Sequence, residues 1–319
     1  MSSLLYYLVV TLLVAITSLS VGIGGSLTAT SALKAIDIQP LAEADIRKAM
    51  ILGMALIETT ALFGLLFSLY LLIYQVPTLI QTSNPYFGIA NLGIACAICL
   101  PGAAAGFVSS FATSAAALAI ARQPFTANNI IKIMILTVSF IQTPVLFGLI
   151  IAFVITSQIP SCLTVPANLK LLAIGLATGL GSVGPTIGLA RFARAACQAV
   201  GYNRYAYSKI LTFVIASSAL IETPVVFALV IAFMILAVPV AEITLLKAVA
   251  LLAAALAIGI TNLAPSLSSS KSAAAACLQI AEHPELSPVL SKTSLMVQGI
   301  IDSFVVYGWI IAIMLIIFT

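Results

Sequence analysis

The chain has 319 residues, of which 62% are hydrophobic and only 7% charged. Soluble domains carry about 25% charged residues, so this composition excludes an ordinary soluble globular protein and predicts a membrane protein. The net charge of +4 does not indicate a nucleic-acid partner, because the basic residues are dispersed among loops and form no cluster on one face.

Short polar breaks divide the apolar sequence into eight segments. A spanning helix needs roughly 20 apolar residues, and the segment before the first break, up to about Leu33, lacks the leading Lys or Arg of a secretory signal. We therefore predict an all-α membrane protein whose eight transmembrane helices form four tandem helical hairpins. The predicted repeats are residues 1–82, 83–162, 163–241 and 242–319.

The basic residues predict the orientation of these hairpins. Only Lys170 and Lys247 lie between hairpins, and the other eleven Lys and Arg residues lie in or beside the loops within hairpins. Because cytoplasmic loops are enriched in Lys and Arg, the loops within hairpins are predicted to be cytoplasmic and both termini to lie on the opposite side.

The five cysteines do not indicate a disulfide framework or a metal centre. Cys96 and Cys99 form a C-x-x-C inside an apparent span, with no second pair to complete a zinc site. We interpret them as small apolar side chains and expect no cofactor and no resident metal.

One polar position recurs along the chain: Glu58, Gln142, Glu222 and Asp302 are separated by 84, 80 and 80 residues. A polar pair lies nineteen residues before each: Gln39-Pro40, Gln123-Pro124, Asn203-Arg204 and His283-Pro284. A hydroxyl follows each directly (Thr59, Thr143, Thr223, Ser303), and an aromatic lies five residues on (Phe63, Phe147, Phe227, Tyr307). Each unit contains two spans, so successive units enter the membrane in the same orientation.

Small residues alternate along the first helix of each unit, as at Gly22, Gly24, Ser26 and Thr28. Such residues let helix backbones approach closely. Together with the parallel repeats, this pattern favours hairpins arranged side by side in a ring or an arc.

A carboxylate at the centre of a bilayer costs several kcal/mol, so such residues usually lie at protein interfaces and mark ion pathways. Desolvation favours the protonated form of a carboxyl group, and a nearby fixed positive charge favours the ionised form. A carboxyl group that alternates between lipid and a positively charged aqueous access point would load and release one ion at each visit.

Residues 22–66 resemble the c subunit, or proteolipid, of the F-type ATP synthase rotor, which has a Gly-rich first helix, an Arg-Gln-Pro loop and an ion-binding carboxylate on the second helix. The stretch ARQPFTANNI at 121–130 is similar to that loop at Arg122, Gln123 and Pro124. The resemblance extends over the whole chain as four fused copies, which would form an arc of a rotor ring.

The resemblance implies a ring built with other c-type hairpins or further copies of this chain, surrounded by lipid and turned against a stator a subunit. The implied ion carriers are Glu58, Glu222 and Asp302, supported by Thr59, Thr223, Ser303, Phe63, Phe227 and Tyr307. The central stalk would contact the loops at Gln39, Pro40, Arg122, Gln123, Pro124, Asn203, Arg204, His283 and Pro284. The second loop matches the family best, because the other three depart from Arg-Gln-Pro. The implied location is a bacterial plasma membrane or an equivalent energy-coupling membrane.

Gln142 stands where a carboxylate is expected, and an amide cannot release a proton. Three carriers on four hairpins would lower the number of ions moved per turn, as in the related vacuolar-type proteolipids, and favour ATP-driven pumping or synthesis under a large gradient. Sodium-binding members of the family carry a Gln on the first helix, and that position here holds Gly25, Ser109, Leu189 and Ser269. We therefore favour protons, with Na⁺ at the same three carboxylates as the alternative.

Two other functions fit part of this pattern. A stand-alone secondary transporter or channel would show polar residues along a pathway in several helices and often an inverted repeat. A structural proteolipid would leave the repeated carboxylates unexplained. We expect no enzymatic activity from this chain alone, because it has no phosphate-binding P-loop motif.

Overall fold

The computed structural model describes residues 2–75 and 86–318, and all regular structure in those ranges is helical. The helices are α1 (Ser2–Ile38), α2 (Glu43–Tyr70), α3 (Phe87–Arg122), α4 (Ala127–Gln158), α5 (Val165–Tyr202), α6 (Tyr207–Ala237), α7 (Leu245–Thr261), α8 (Leu263–Glu282) and α9 (Ser287–Ile317). Helices α7 and α8 meet at Asn262 and form one span, so these ranges contain eight apolar helical stretches long enough to cross a membrane. The prediction of an all-α protein with eight spans is confirmed. The predicted boundary between residues 82 and 83 lies outside the described residues.

Each hairpin closes through a single 3-10 turn: Pro40–Ala42, Pro124–Thr126, Arg204–Ala206 and Pro284–Leu286. In three of them proline begins the turn and keeps the preceding residue out of the helical region; Gln39, for example, has φ −141° and ψ 81°. The third hairpin has no proline there. Its Asn203 is extended, and its side-chain oxygen accepts a hydrogen bond from the Tyr205 amide at 3.0 Å. An Asx turn thus replaces the proline.

The first helices of the hairpins form an inner row in which α1 packs on α3, α3 on α5, and α5 on α7 and α8. Small residues lie where these helices meet. A methyl group on Gly24 would overlap the backbone of Gly106, and one on Gly188 would overlap Ser266. The close approach predicted from the alternating small residues is therefore confirmed.

The second helices form an outer row, in which α2, α4, α6 and α9 pack on their own first helices and on one another in chain order. Burial is greatest in the middle of this arrangement. In the most apolar stretch of each helix, 67% of α3 and 72% of α5 are buried, against 33% of α1 and 28% of α9. The first and fourth hairpins therefore present apolar edges on which further hairpins can pack.

Candidate ion-carrying site

The four repeated polar residues lie near the middle of the outer helices, with Glu58 on α2, Gln142 on α4, Glu222 on α6 and Asp302 on α9. The surroundings of these residues differ. Asp302 and Gln142 are buried, Glu222 is half-buried, and Glu58 is exposed. Glu58 is exposed because α2 belongs to the first hairpin, so no preceding hairpin covers this side of it.

The buried amide of Gln142 joins three helices. Its Oε1 accepts a hydrogen bond from Thr60 Oγ1 of α2 at 2.7 Å, and its Nε2 donates to Ser109 Oγ of α3 at 3.3 Å. The amide is thus bonded at both of its polar atoms. In this position Gln142 links the first two hairpins.

Asp302 has the opposite environment. It is 8% exposed, and neither carboxyl oxygen has a hydrogen-bond partner among the described residues. A buried polar group without a partner is costly, and binding of an ion or a proton would offset that cost. The Thr143 hydroxyl of α4 lies beside Glu222 across the interface between hairpins.

The hydroxyls that follow the carboxylates bond to their own helices. Thr59 donates to Leu56 O at 2.7 Å, Thr223 to Ala219 O at 3.1 Å, and Ser303 to Ile300 O at 2.7 Å. Such bonds are common for Ser and Thr inside helices. In this structure these three side chains do not bond to the carboxyl groups they were predicted to support.

The aromatic residues of the repeat vary in their contacts. Phe63 and Phe227 are partly buried against the core, and the Phe227 ring lies 5.8 Å from that of Trp309. Tyr307 is exposed and lies 6.0 Å from the Phe304 ring, centroid to centroid. The four hairpins therefore do not share one aromatic environment.

The second, third and fourth loops within hairpins are joined to one another at one end of the bundle. Gln123 Nε2 donates to Tyr202 O at 3.0 Å, and the Arg122 guanidinium lies 5.4 Å from the centre of the Tyr202 ring. Asn203 Nδ2 donates to Ala281 O at 2.9 Å in the next hairpin. These bonds hold the second, third and fourth loops side by side.

The remaining loop residues are more exposed. Gln39 and Pro40 precede the fully exposed Leu41, and Phe125 after Pro124 is equally exposed. Arg204 stacks on Tyr205, and His283 Nδ1 lies 3.4 Å from Glu285 Oε1 beside Pro284. The tips of the loops thus offer apolar and charged side chains for a contact outside the membrane.

Three buried polar residues were not predicted from the sequence to bond between helices. Gln298 lies one helical turn before Asp302, and its Nε2 donates to Ser217 Oγ at 3.1 Å and Ser294 Oγ at 3.0 Å. Asn262 Nδ2 donates to Gly181 O and to Pro224 O, two residues after Glu222. Lys170 is buried, and its ammonium donates to Leu236 O and Val238 O at the end of α6. Each of the three could have been noticed in the sequence as a polar residue within an apolar span.

No group of three or more His, Cys, Asp or Glu side chains in the described ranges is placed to hold a metal ion. Four of the five cysteines are buried, and Cys96 is partly exposed.

Comparison with known proteins adds to this geometry. The family of ATP synthase c subunits matches four segments, residues 8–71, 92–155, 172–235 and 252–315, which together make up most of the chain. The four family matches, together with the tandem hairpins and their polar residue at mid-membrane, identify the class of protein as a rotor proteolipid. The chain belongs to the ATP synthase c-subunit family, with four fused hairpins.

Curated relatives have the length of one hairpin. The ATP synthase c subunit of Dehalococcoides mccartyi is 44% identical over 68 residues, which are 21% of this chain and 90% of the relative. The c subunits of Chloroflexus aurantiacus and Chloroflexus aggregans are each 39% identical over 68 residues, with the same coverage. Members of this family are non-catalytic, ion-translocating rotor subunits, and this chain is accordingly a multi-pass membrane protein with a rotor role.

Proposed function

We propose that this chain carries protons on Glu58, Glu222 and Asp302 while its ring turns against a stator a subunit, and that the second hairpin carries none. The observation that carries this proposal is the Asp302 carboxyl group, buried at mid-membrane with neither oxygen partnered within the described residues. Gln142 at the same repeat position is bonded at both polar atoms and has no proton to exchange.

The exposed position of Glu58 supports assembly into a ring. A mid-membrane carboxylate facing lipid is costly, and another hairpin packed against α2 would cover it. Further copies of this chain or single-hairpin proteolipids would supply that surface. In this arrangement the four predicted repeats are neighbouring hairpins of the ring, and they pass the stator one after another. Their ranges are 1–82, 83–162, 163–241 and 242–319.

The loops within hairpins are proposed to face the cytoplasm and to bind the central stalk, since they carry most of the basic residues. Arg122, Gln123 and Pro124 of the second loop form the best candidate contact. The neighbouring Arg204, on the third loop, adds positive charge to that surface. The membrane is proposed to be a bacterial plasma membrane or an equivalent energy-coupling membrane.

Protons are favoured over Na⁺ because no first helix offers a carboxamide at the position used by sodium-binding relatives. The test is modification of the assembled complex with a carbodiimide, which attacks protonated carboxyl groups in apolar surroundings, with and without Na⁺ at fixed pH. Peptide mapping should find modification at Glu58, Glu222 and Asp302, together with loss of coupled ATPase activity. Protection of all three by Na⁺ would replace protons with sodium as the cargo, and no modification at any of them would reject the carrier role.

A further inference from the structure

The fourth hairpin contains buried oxygen atoms that none of the bonds described above accounts for. Ser269 and Gln298 are fully buried and Asp302 nearly so. The hydroxyl of Ser269, the amide oxygen of Gln298 and both carboxyl oxygens of Asp302 have no hydrogen-bond partner in the described part of the chain. Buried polar atoms are nearly always paired in native proteins, so this cluster calls for an explanation.

The repeat places these three side chains together. In the second hairpin, Ser109 bonds Gln142, and Ser269 and Asp302 hold the same two positions 160 residues later. In the first hairpin, a Cβ on Gly25 would lie 3.7 Å from the Met54 methyl group. Ser269 and Gln298 are the equivalents of that pair, so the repeat leads us to expect that Ser269 adjoins both other residues.

Gln298 and Asp302 are also neighbours on α9, since residues four apart lie on the same face of a helix. The amide nitrogen of Gln298 is committed to Ser217 and Ser294. Its oxygen therefore remains available for a donor on the Asp302 side. The equivalent positions in the other hairpins hold Met54, Val138 and Ser218, none of which has a carbonyl group in its side chain.

One proton bound to Asp302 would allow all four unpaired oxygen atoms to take part in hydrogen bonds. When a proton binds an Asp302 oxygen, the new O–H can donate to Gln298 Oε1, while the Ser269 hydroxyl donates to the other carboxyl oxygen. When the proton leaves for the access pathway as H⁺, the carboxylate faces the negative end of the Gln298 amide dipole and the amide oxygen loses its donor. No electron transfer or further reactant is needed.

We propose that Gln298 is a positioning residue that accepts the hydrogen bond of protonated Asp302 and, with Ser269, holds the proton of the fourth hairpin. This inference rests on the proposed function, because it assumes that Asp302 carries a proton. It makes the fourth hairpin chemically different from the third, where Leu189 and Ser218 occupy the positions of Ser269 and Gln298.

Other ionisable groups on the helices packed against α9 do not pair with Asp302. Glu222 of α6 lies at the same level of the repeat, and the two ion pairs found in the described ranges do not include Asp302. The remaining ionisable side chains on those helices and on the 3-10 turn before α9 are Tyr207, Lys209, Lys247, Lys271, Cys277, Glu282 and Glu285.

The test compares carbodiimide modification of Asp302 over a range of pH in the assembled complex with Gln298 and with Gln298→Met. Methionine keeps the length and flexibility of the side chain but has no carbonyl acceptor. A neutral hydrogen bond contributes about 1 kcal/mol, or about fivefold in proton dissociation. We expect half-maximal modification of Asp302 to move about 0.7 pH unit lower. Glu222, mapped in the same samples, should keep its profile.

A second variant separates this role from general packing. Ser294→Ala frees the Gln298 nitrogen from one of the two hydroxyls that hold it, so the amide can turn and donate to the carboxylate. It should move the Asp302 profile to lower pH when Gln298 is present and leave that profile unchanged in the Gln298→Met background. The inference is overturned if Asp302 keeps its profile in Gln298→Met, if Glu222 shifts equally, or if Na⁺ protects Asp302 at fixed pH. The first two results leave modification of Asp302 intact, whereas failure of the proposed function removes modification at every carboxylate.

Discussion

Gln142 and Asp302 occupy the same repeat position and are 6% and 8% exposed, yet their polar atoms have opposite surroundings. The amide of Gln142 is bonded to two other helices, whereas the oxygens of Asp302 have no partner within the described residues. A fully bonded buried group stabilises one arrangement, and an unpartnered one is typical of a site that trades stability for function. This difference supports the proposal that the second hairpin carries no ion and that the fourth hairpin carries one.

The largest effect on ion pumping is expected when all three proposed carrier carboxylates are replaced by the corresponding amides. Combining Glu58→Gln, Glu222→Gln and Asp302→Asn should reduce ATP-driven acidification of inverted vesicles to background, because no side chain at this position can then release a proton. Glu242→Gln, which removes a carboxylate from the link between the third and fourth hairpins, is the matched control and should pump normally. Pumping by the triple variant would mean that the ions follow another path.

Removing the amide of Gln142, which is bonded to two other helices, should lower the stability of the folded protein. Gln142→Leu leaves the buried hydroxyls of Thr60 and Ser109 without this partner, at a cost of about 1–3 kcal/mol. The thermal midpoint of the purified protein in detergent should fall, while the ion-to-ATP ratio stays the same. Gln158→Leu, at the end of the same helix, controls for the change of residue type. An unchanged midpoint for Gln142→Leu would contradict the structural role.

The sequence predicted the repeat, the eight helices and the position of the carboxylates because these features recur every 80 to 84 residues. Features present in a single hairpin were missed for the same reason. Gln298 has Met54, Val138 and Ser218 as its equivalents, so aligning the repeats concealed it. Lys170 was interpreted as a loop residue, although its ammonium bonds to the end of α6 in the structure.

Other properties depend on neighbours that no local pattern encodes. The predicted carriers Glu58 and Asp302 differ in burial because one lies at an edge of the arc and the other packs against the third hairpin. Thr59 and Ser303 were predicted to support the carboxyl groups, but in the structure each donates a hydrogen bond to a carbonyl of its own helix. Local backbone bonds compete with such tertiary ones, and their outcome depends on side-chain rotamers.

Replacing Asp302, whose carboxyl oxygens have no partner in the described residues, should raise stability, whereas replacing Gln142 should lower it. Asp302→Asn supplies a permanent donor for Gln298 Oε1 and retains an acceptor for Ser269, so we expect a gain of about 0.5–1.5 kcal/mol. The thermal midpoint should rise by a few degrees in the detergent used for Gln142→Leu, while one carrier per chain is lost. A fall as large as that of Gln142→Leu would show that the two positions play the same structural role.

The smallest expected change is the most informative about the second hairpin. Gln142→Glu would give each chain four carriers in place of three, which raises the ion-to-ATP ratio by a third if the proposed function is correct. The site can accept the change, because Thr60 already donates to the side-chain oxygen and the Ser109 hydroxyl can rotate to donate as well. The ratio is measured from the ion gradient that just balances a set phosphorylation potential. Gln158→Glu adds a carboxylate away from mid-membrane and should leave the ratio unchanged. An unchanged ratio in Gln142→Glu as well would mean that the second hairpin lacks access to the ion pathway for a reason other than its amide.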